Sequence, residues 1–383
     1  MVVSGTETAG VGTTEKTRTG MRIALDAHGG DFGLERNVAV ALQFIEDPAV
    51  RLVLVGHEEQ IRAEVARQKG DFQRLHTVHA ETQIGMDESA AQSVRRKGDN
   101  SISVALQLQR AGSVDAVVSA GHSGAVVAAS LLTLGRTPGV HRPALGTRIP
   151  AIPTTAFILD IGAVIDPRPE WMVQFAYLGA AYVRGAYGIS KPTVALLSNG
   201  EERSKGNQLV RETRDLLEAT GLNFIGYVEA REMMSTPPHV TVTDGFTGNV
   251  AIKLGEGTAI GIQRVMREEL TASWHTKILA AMLKPALRRV GKRLDFEGVG
   301  GVPLLGVDGV VVISHGRSTV AALSNAVRNA AHSVEIDLVR IMRDAIPRPQ
   351  SAANGRVVDA AVASEPRMAG SGSGNTASGG DAV

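Results

Sequence analysis

The 383-residue sequence contains no cysteine. That absence excludes a disulfide framework, a thiolate zinc site, an iron–sulfur cluster and a cysteine nucleophile. A reducing cytoplasm is the compartment that suits it. Aromatic residues make up only 4% of the chain, too few for the stacking platforms of single-strand nucleic-acid binders. Lys and Arg number 40 against 39 Asp and Glu, a formal charge of +1. So even a balance excludes bulk electrostatic capture of nucleic acid, and no nucleic-acid partner is expected. No uninterrupted apolar run approaches about 18 residues, so nothing reads as a membrane span. What is abundant is hydrophobic residues, 43% of the chain, enough for a large core.

The two ends read differently from the middle. Residues 1–20, rich in Gly, Thr and Glu, lack the apolar run of a secretory signal. Residues 347–383 are rich in Gly, Ser and Ala. Neither end carries enough apolar surface to offset the entropy of ordering, so both are expected to be disordered. The working domain is residues 21–346, and Met21 is an alternative start.

Within that domain one pattern recurs: a short apolar strand, a Gly-rich polar loop, then an amphipathic helix. Strands are expected at 22–25, 52–55, 116–118, 193–197, 240–243 and 310–313. Helices are expected from about Leu34, over 58–69, over 125–134, near 208–219, after Asn249, and finally up to about Met342. Alternation of this kind predicts an α/β doubly wound fold, with a parallel sheet and helices on both faces. Ligands of such sheets bind beyond the carboxyl ends of the strands, where free helix N–H groups favour an anion. The loops all belong to that edge on this reading. They are Asp26-Ala27-His28-Gly29-Gly30-Asp31, Ser119-Ala120-Gly121-His122-Ser123-Gly124, Ser198-Asn199-Gly200-Glu201-Glu202, the segment Asp244 to Asn249, and Ser314-His315-Gly316-Arg317-Ser318. Glycine also serves ordinary tight turns, but five of the six strand-end loops add an ionisable side chain. An anionic ligand is expected, a phosphate, carboxylate or phosphoester.

Several chemistries fail on spacing. A dinucleotide GxGxxG fails at Gly255-Glu256-Gly257 because Ile260 stands where the third glycine belongs. No P-loop, HExxH or EF-hand pattern occurs, and no metal-ligand cluster, so nucleotide hydrolysis and metalloproteolysis drop and no metal is expected. The serine elbow GxSxG fails too, since in Gly121-His122-Ser123-Gly124 the glycine comes one position early. Three of the ten histidines, His28, His122 and His315, sit in Gly loops, where each is a catalyst or a satisfied structural residue. Asp26, Asp31 and Asp244 are equally ambiguous, because Asp commonly caps helices. Glu201 and Lys205 would make an ordinary surface ion pair. Lys205-Gly206-Asn207 is more suggestive, a cation beside glycine at a helix start.

The sequence resembles the bacterial phosphate acyltransferase family called PlsX, acyl-carrier-protein:phosphate acyltransferases of phospholipid synthesis, from Met21 to about Arg343. Carrying the resemblance are MRIALDAHGGD (21–31), IGMDESAAQSVRRKGDNSISVAL (84–106) and VVSAGHSGAVVAASLLTLGR (117–136). RPAL (142–145), PEWMVQFAYLGAAY (169–182), KGNQLV (205–210), NFIGYVEAR (223–231), DGFTGNVAIKLGEG (244–257) and GGVPLLGVDGVVVISHGRS (300–318) continue it. The family's first loop usually reads DAMGGDH, so His28 and Phe32 are departures. Its AGNTG is AGHSG here, bringing in His122 and Ser123, and its NIGEE is SNGEE, followed by Arg203. Hydrogen-bonding capacity survives these exchanges, while a histidine adds sensitivity to pH.

The resemblance implies a homodimer with a three-layer α/β/α sandwich similar to phosphotransacetylases and isopropylmalate dehydrogenases. It implies transfer of a long fatty acyl group from acyl carrier protein to inorganic phosphate, without a redox cofactor. A membrane acyltransferase then places that acyl group on glycerol 3-phosphate. Phosphate is already an anionic nucleophile, so the protein's task is to position it and to stabilise the oxyanion. Backbone N–H groups of Gly29, Gly30, Gly121 and Gly124 are expected to hold it, with Ser123 and Lys205 as side-chain donors. His122 or His315 would stabilise the oxyanion or protonate the leaving sulfur, and Asn249 is a further donor. Asp26, Asp31, Asn199, Glu201, Gly206, Asn207, Asp244, Gly245, Gly248 and Gly316 complete the expected substrate contacts.

The stretch at about 264–294 stands apart. From Leu270 on it carries Lys277, Lys284, Arg288, Arg289, Lys292 and Arg293 with no acid, beside Trp274, Met282 and Leu283 at near-helical spacing. A basic amphipathic helix of this kind suits an anionic membrane surface or an acidic carrier protein, or packs on a dimer partner. In this family the region is associated with peripheral membrane attachment. Pro285 is expected to break or kink the helix. Two rival functions remain: a short-chain phosphotransacetylase acting on acyl-coenzyme A, and a non-catalytic scaffold at the membrane.

Overall fold

The computed structural model describes residues 20–347 apart from 86, 151–155 and 294–299. The two tails expected to be disordered thus lie almost wholly outside the described residues. Eleven strands occur among the described residues. They are β1 (Met21–Asp26), β2 (Val50–Gly56), β3 (His76–His79), β4 (Ala116–Ser119), β5 (Ala144–Ile149), β6 (Ala156–Leu159), β7 (Thr193–Ser198), β8 (Asn223–Glu229), β9 (Val240–Val242), β10 (Val302–Leu305) and β11 (Val310–Ile313). The helices between and after them are α1 (Gly33–Gln43), α2 (Glu58–Arg67), α3 (Ala90–Arg96), α4 (Ser101–Arg110), α5 (Ser123–Thr133), α6 (Pro169–Tyr187), α7 (Gln208–Glu218), α8 (Gly245–Thr271), α9 (Trp274–Arg293), α10 (Val320–Glu335) and α11 (Leu338–Ala345).

The strands form one sheet in the order β3-β2-β1-β4-β11-β10-β5-β6-β9-β7-β8. Its pairing corrects the expectation of a wholly parallel sheet. β3, β2, β1, β4 and β11 run parallel to one another, as do β6, β9, β7 and β8. Between them β10 is antiparallel to β11 and to β5, and β5 is antiparallel to β6. The two halves of the sheet therefore point in opposite directions.

Register sets where their ends meet. Ile313, the last residue of β11, pairs with Val302, and Leu145 pairs with Leu304. Leu159, the last residue of β6, pairs with Gly146, next to Leu145. The carboxyl ends of β11 and β6 thus stop at nearly the same level along β10, approaching it from opposite sides. The strand-end loops do not share one edge, as the sequence reading had it. Two sets of loops face each other across the middle of the sheet.

Period-two burial distributes the side chains between two layers. Ile23 and Leu25 of β1 join a core with residues of α1, α2, α6, α7, α10 and α11. Ala24 faces the other way, toward α4 and α5. In the second half, Ile149, Ile158 and Leu197 meet Ile252 of α8. A fully buried Leu, Ile or Phe contributes about 1.5–3 kcal/mol, and Leu25, Phe157, Phe175 and Ile158 all belong to this class.

Helix ends differ from expectation in ways that matter for the site. α5 starts at Ser123 with His122 as its cap, which puts Ser123 and Gly124 in a first helical turn. α8 starts at Gly245 behind the cap Asp244, so Gly248 and Asn249 are helical as well. The last helical stretch is broken at Asp337, whose φ is 55°, into α10 and α11. Pro285 lies inside α9 without ending it.

Candidate functional site

The first set of loops is built on a buried carboxylate. Asp26 closes β1 and is 1% exposed. Its Oδ1 accepts the His28 N–H at 3.1 Å, and its Oδ2 accepts the Ser119 hydroxyl at 2.7 Å. Ser119 Oγ accepts the Gly121 N–H at 3.0 Å. One carboxylate thus shapes the loops after both β1 and β4. Asn37 adds to this from α1, its amide donating to the carbonyls of Ala27, Gly29 and Gly33. A Cβ on Gly29 would lie 2.7 Å from both Asp26 Oδ2 and the Gly121 nitrogen, so only glycine allows the two loops this approach.

A third loop, after β11, joins them. The Asp31 N–H donates to the Gly316 carbonyl at 2.8 Å, and Arg317 meets the Asp31 carboxylate at 3.5 Å. Gly30 has a φ of 97°, and a Cβ there would sit 2.9 Å from the Gly316 carbonyl. Arg36 donates to the carbonyls of Arg317 and Ser318. Among the described residues no hydrogen bond occupies the N–H groups of Gly29, Gly30 and Gly316. Those of Ser123 and Gly124 are first-turn donors of α5, which an α-helix leaves without an internal acceptor. Free N–H groups from several loops and one helix start make a cradle for an anion.

Four expected ligand groups have structural engagements of their own. Asp26 is held as described, Gly121 gives its N–H to Ser119, Asp244 caps α8 through the Thr247 N–H at 2.8 Å, and Asn207 caps α7 through the Val210 N–H at 2.9 Å. His28 turns away from the loops: its Nε2 accepts the His57 N–H at 2.9 Å. Burial lowers the His28 pKa, against the opposing pull of Asp26.

Across the middle of the sheet stands a second buried carboxylate, one that sequence reading missed. Asp160 is fully buried and accepts N–H groups of Leu145 (2.8 Å), Gly162 (3.2 Å), Ala163 (3.0 Å) and Val164 (2.6 Å). Burial pushes its carboxyl up to about 6, although the four N–H donors pull it down. The start of α8 rests directly on this turn. A Cβ on Gly248 would lie 2.0 Å from the Asp160 carbonyl, and one on Gly245 would lie 2.5 Å from that of Val164. Asn249 is exposed on the next turn. One turn further, Lys253 extends to His315, with Nζ 2.9 Å from Nε2. Lys253, Asn37 and Asp160 were not singled out in the sequence, and Ser119 and Arg317 stood in its strand-end loops without a role of their own.

Lys205 and its neighbours form a separate group at the end of β7. Asn199 Oδ1 accepts the Gly206 N–H at 2.9 Å, and Gly206 has a φ of 86°. Among the described residues no hydrogen bond or ion pair joins Lys205 to the loops of the first half. Glu201 lies against Glu232, whose carboxylate raises the Glu201 pKa. That acidic surrounding repels an anion, so Glu201 is poorly placed as a phosphate ligand.

α9 exposes Trp274, Ile278, Leu279, Met282 and Leu283, each by more than half. Lys277, Lys284, Arg288, Arg289 and Arg293 are exposed on the same helix. Among the described residues no helix is long and apolar enough to cross a membrane, and no group of His, Asp or Glu is arranged to hold a metal ion.

The architecture and the sequence both have known counterparts. Similar solved structures include a phosphotransacetylase from Streptococcus pyogenes (TM-score 0.56, 18% identity, 82% of this chain and 94% of that one). Another is the EutD phosphotransacetylase from Staphylococcus aureus (TM-score 0.55, 18% identity, 83% and 95%); at this identity the likeness is one of fold. Sequence relatives lie much nearer. The phosphate acyltransferase of Pelotomaculum thermopropionicum is 43% identical over 85% of this chain and 95% of its own length. That of Dictyoglomus turgidum is 44% identical over 83% and 95%. The family model described as fatty acid synthesis protein matches residues 21–340. This chain therefore belongs to the fatty acid synthesis protein family, that of the PlsX phosphate acyltransferases, and is an enzyme of the acyltransferase class.

Proposed function

We propose that the enzyme transfers a long-chain fatty acyl group from the thioester of acyl carrier protein to inorganic phosphate, giving acyl phosphate for phospholipid synthesis. The observation that carries this reading is the cradle of free N–H groups at Gly29, Gly30, Ser123, Gly124 and Gly316, flanked by His122, His315 and Arg317. A phosphate oxygen attacks the thioester carbonyl carbon, the C–S bond breaks, and the carrier thiolate leaves and takes up a proton. The protein positions the two reactants and stabilises the oxyanion, where one donor is worth about 3–4 kcal/mol. His122 Nδ1 accepts the Ala125 N–H at 3.4 Å, which directs the ring proton to Nε2. From there it serves the oxyanion or the departing sulfur. Ser123 adds a hydroxyl donor at the same helix start, and Asn249 and Lys205 are the further donors that this reading assigns to the second half.

In the same reading the enzyme acts as a homodimer on the cytoplasmic side of the membrane and feeds a membrane acyltransferase that uses glycerol 3-phosphate. α9, basic and apolar on its surface, is its contact with anionic lipid or with the acidic carrier protein. The test is thiol release from palmitoyl-carrier protein, with and without phosphate, trapping the product with hydroxylamine. Phosphate-dependent release with hydroxamate formation supports the proposal. Turnover of acetyl-coenzyme A alone identifies a short-chain phosphotransacetylase, and inactivity with both donors leaves a scaffold.

A further inference from the structure

Two hydrogen-bond donors face each other across the middle of the sheet. His315 Nδ1 accepts the Arg317 N–H at 3.1 Å, so the ring carries its proton on Nε2. That Nε2 lies 2.9 Å from Lys253 Nζ, and an ammonium group has three donors and no acceptor. Neither group satisfies the other. Both are exposed, and they come from opposite halves, His315 from the loop after β11 and Lys253 from the third turn of α8. Lys253 also meets Glu256 on its own helix at 3.1 Å, which leaves two ammonium protons for a second partner. An acceptor oxygen placed against both donors resolves the conflict. The unoccupied Gly316 N–H and the Arg317 guanidinium lie in the same loop.

We propose that Lys253 and His315 form a two-donor clamp on one oxygen of the acceptor phosphate. Lys253 is then a catalytic residue supplied by the second half of the molecule to a cradle built by the first. The inference rests on the phosphate acyltransferase reading and extends it. It makes phosphate the bridge between the two halves, so that seating the acceptor fixes α8 against the loop of His315.

The test uses the full chain and inorganic phosphate. Calorimetric titration and steady-state kinetics compare the wild-type protein with Lys253→Met and Lys253→Arg, with thermal midpoints as the control for folding. Losing a charge-assisted hydrogen bond predicts a rise of about 10- to 100-fold in both the phosphate Kd and the phosphate KM of Lys253→Met. Its KM for the acyl donor should stay within about twofold, and Lys253→Arg should recover most of the phosphate affinity. Unchanged phosphate affinity in Lys253→Met, with phosphate-dependent transfer intact in the wild type, overturns the clamp and spares the reaction. Equal rises in both KM values assign Lys253 a merely structural role and overturn it too. A wild-type protein that neither binds nor consumes phosphate overturns the reaction itself.

Discussion

Ser119 Oγ donates to the Asp26 carboxylate at 2.7 Å, from one strand to its neighbour, and accepts the Gly121 N–H at 3.0 Å. Both side chains are almost completely buried, so this hydroxyl is the joint through which the loop after β4 takes its shape from the end of β1. Ser119→Ala removes the joint and leaves a buried carboxylate oxygen and a buried N–H without partners. The expected cost is about 1–3 kcal/mol of stability, read from urea unfolding, together with a higher KM for phosphate. A variant with normal stability and normal phosphate KM would show that the loops hold their shape without it.

The first half of the site was legible because its strands are short apolar runs ending in Asp or Ser and followed by glycine. Asp26, Ser119, Ser314 and the loops behind them obey that pattern. Asp160 obeys it as well, in Leu159-Asp160-Ile161-Gly162, and that pattern was the signal available for this carboxylate. β5, β6 and β10 were not legible: among the described residues β5 runs on to β6 and β10 to β11 with no helix between, so the antiparallel strands at the centre of the sheet break the strand–loop–helix pattern by which the others were read. Without them the opposed direction of the halves could not be seen, and every loop was assigned to one edge. Lys253 was missed for a related reason. It lies within a helix, and 62 positions separate it from His315, so only the tertiary fold brings the two together.

Gly248 and Gly257 lie on the same helix and should respond in opposite ways to alanine. A Cβ at Gly248 would be 2.0 Å from the Asp160 carbonyl, a backbone atom that cannot swing aside. Gly248→Ala should cost about 1–3 kcal/mol or more and raise the phosphate KM by shifting α8. Gly257 meets nothing within 4 Å, and Gly257→Ala should stabilise by about 0.4–1 kcal/mol. Thermal or urea unfolding of the two variants decides this, and equal effects would contradict the packing described for α8.

Asp160 should make stability depend on pH. Its carboxyl is raised from 3.8 to about 6 by burial, so the folded chain binds more protons than the unfolded one between those values. Its contribution is therefore fully present at low pH and is lost as pH rises through about 6. Asp160→Asn also turns an amide donor toward the backbone N–H groups that the carboxylate accepts, which makes it destabilising throughout. The difference in unfolding free energy between wild type and Asp160→Asn should be larger at pH 5 than at pH 7.5. The reverse order would mean that the four N–H donors outweigh burial.

Met282 is 75% exposed on α9, and Met282→Glu should leave folding stability within about 0.5 kcal/mol. If α9 is the lipid contact, that substitution should weaken co-sedimentation with phosphatidylglycerol vesicles, as should reversal of Arg288 and Arg289 at about 1 kcal/mol per charge. Undiminished vesicle binding by both variants would remove α9 from that role and leave it to a protein partner.

The central claim, acyl transfer to phosphate, is tested most directly by the phosphate dependence of thiol release from palmitoyl-carrier protein. The account predicts negligible release without phosphate, saturable release as phosphate is added, and one hydroxylamine-trapped acyl group for each thiol freed. Release at the same rate without phosphate, or none at saturating phosphate, would contradict it.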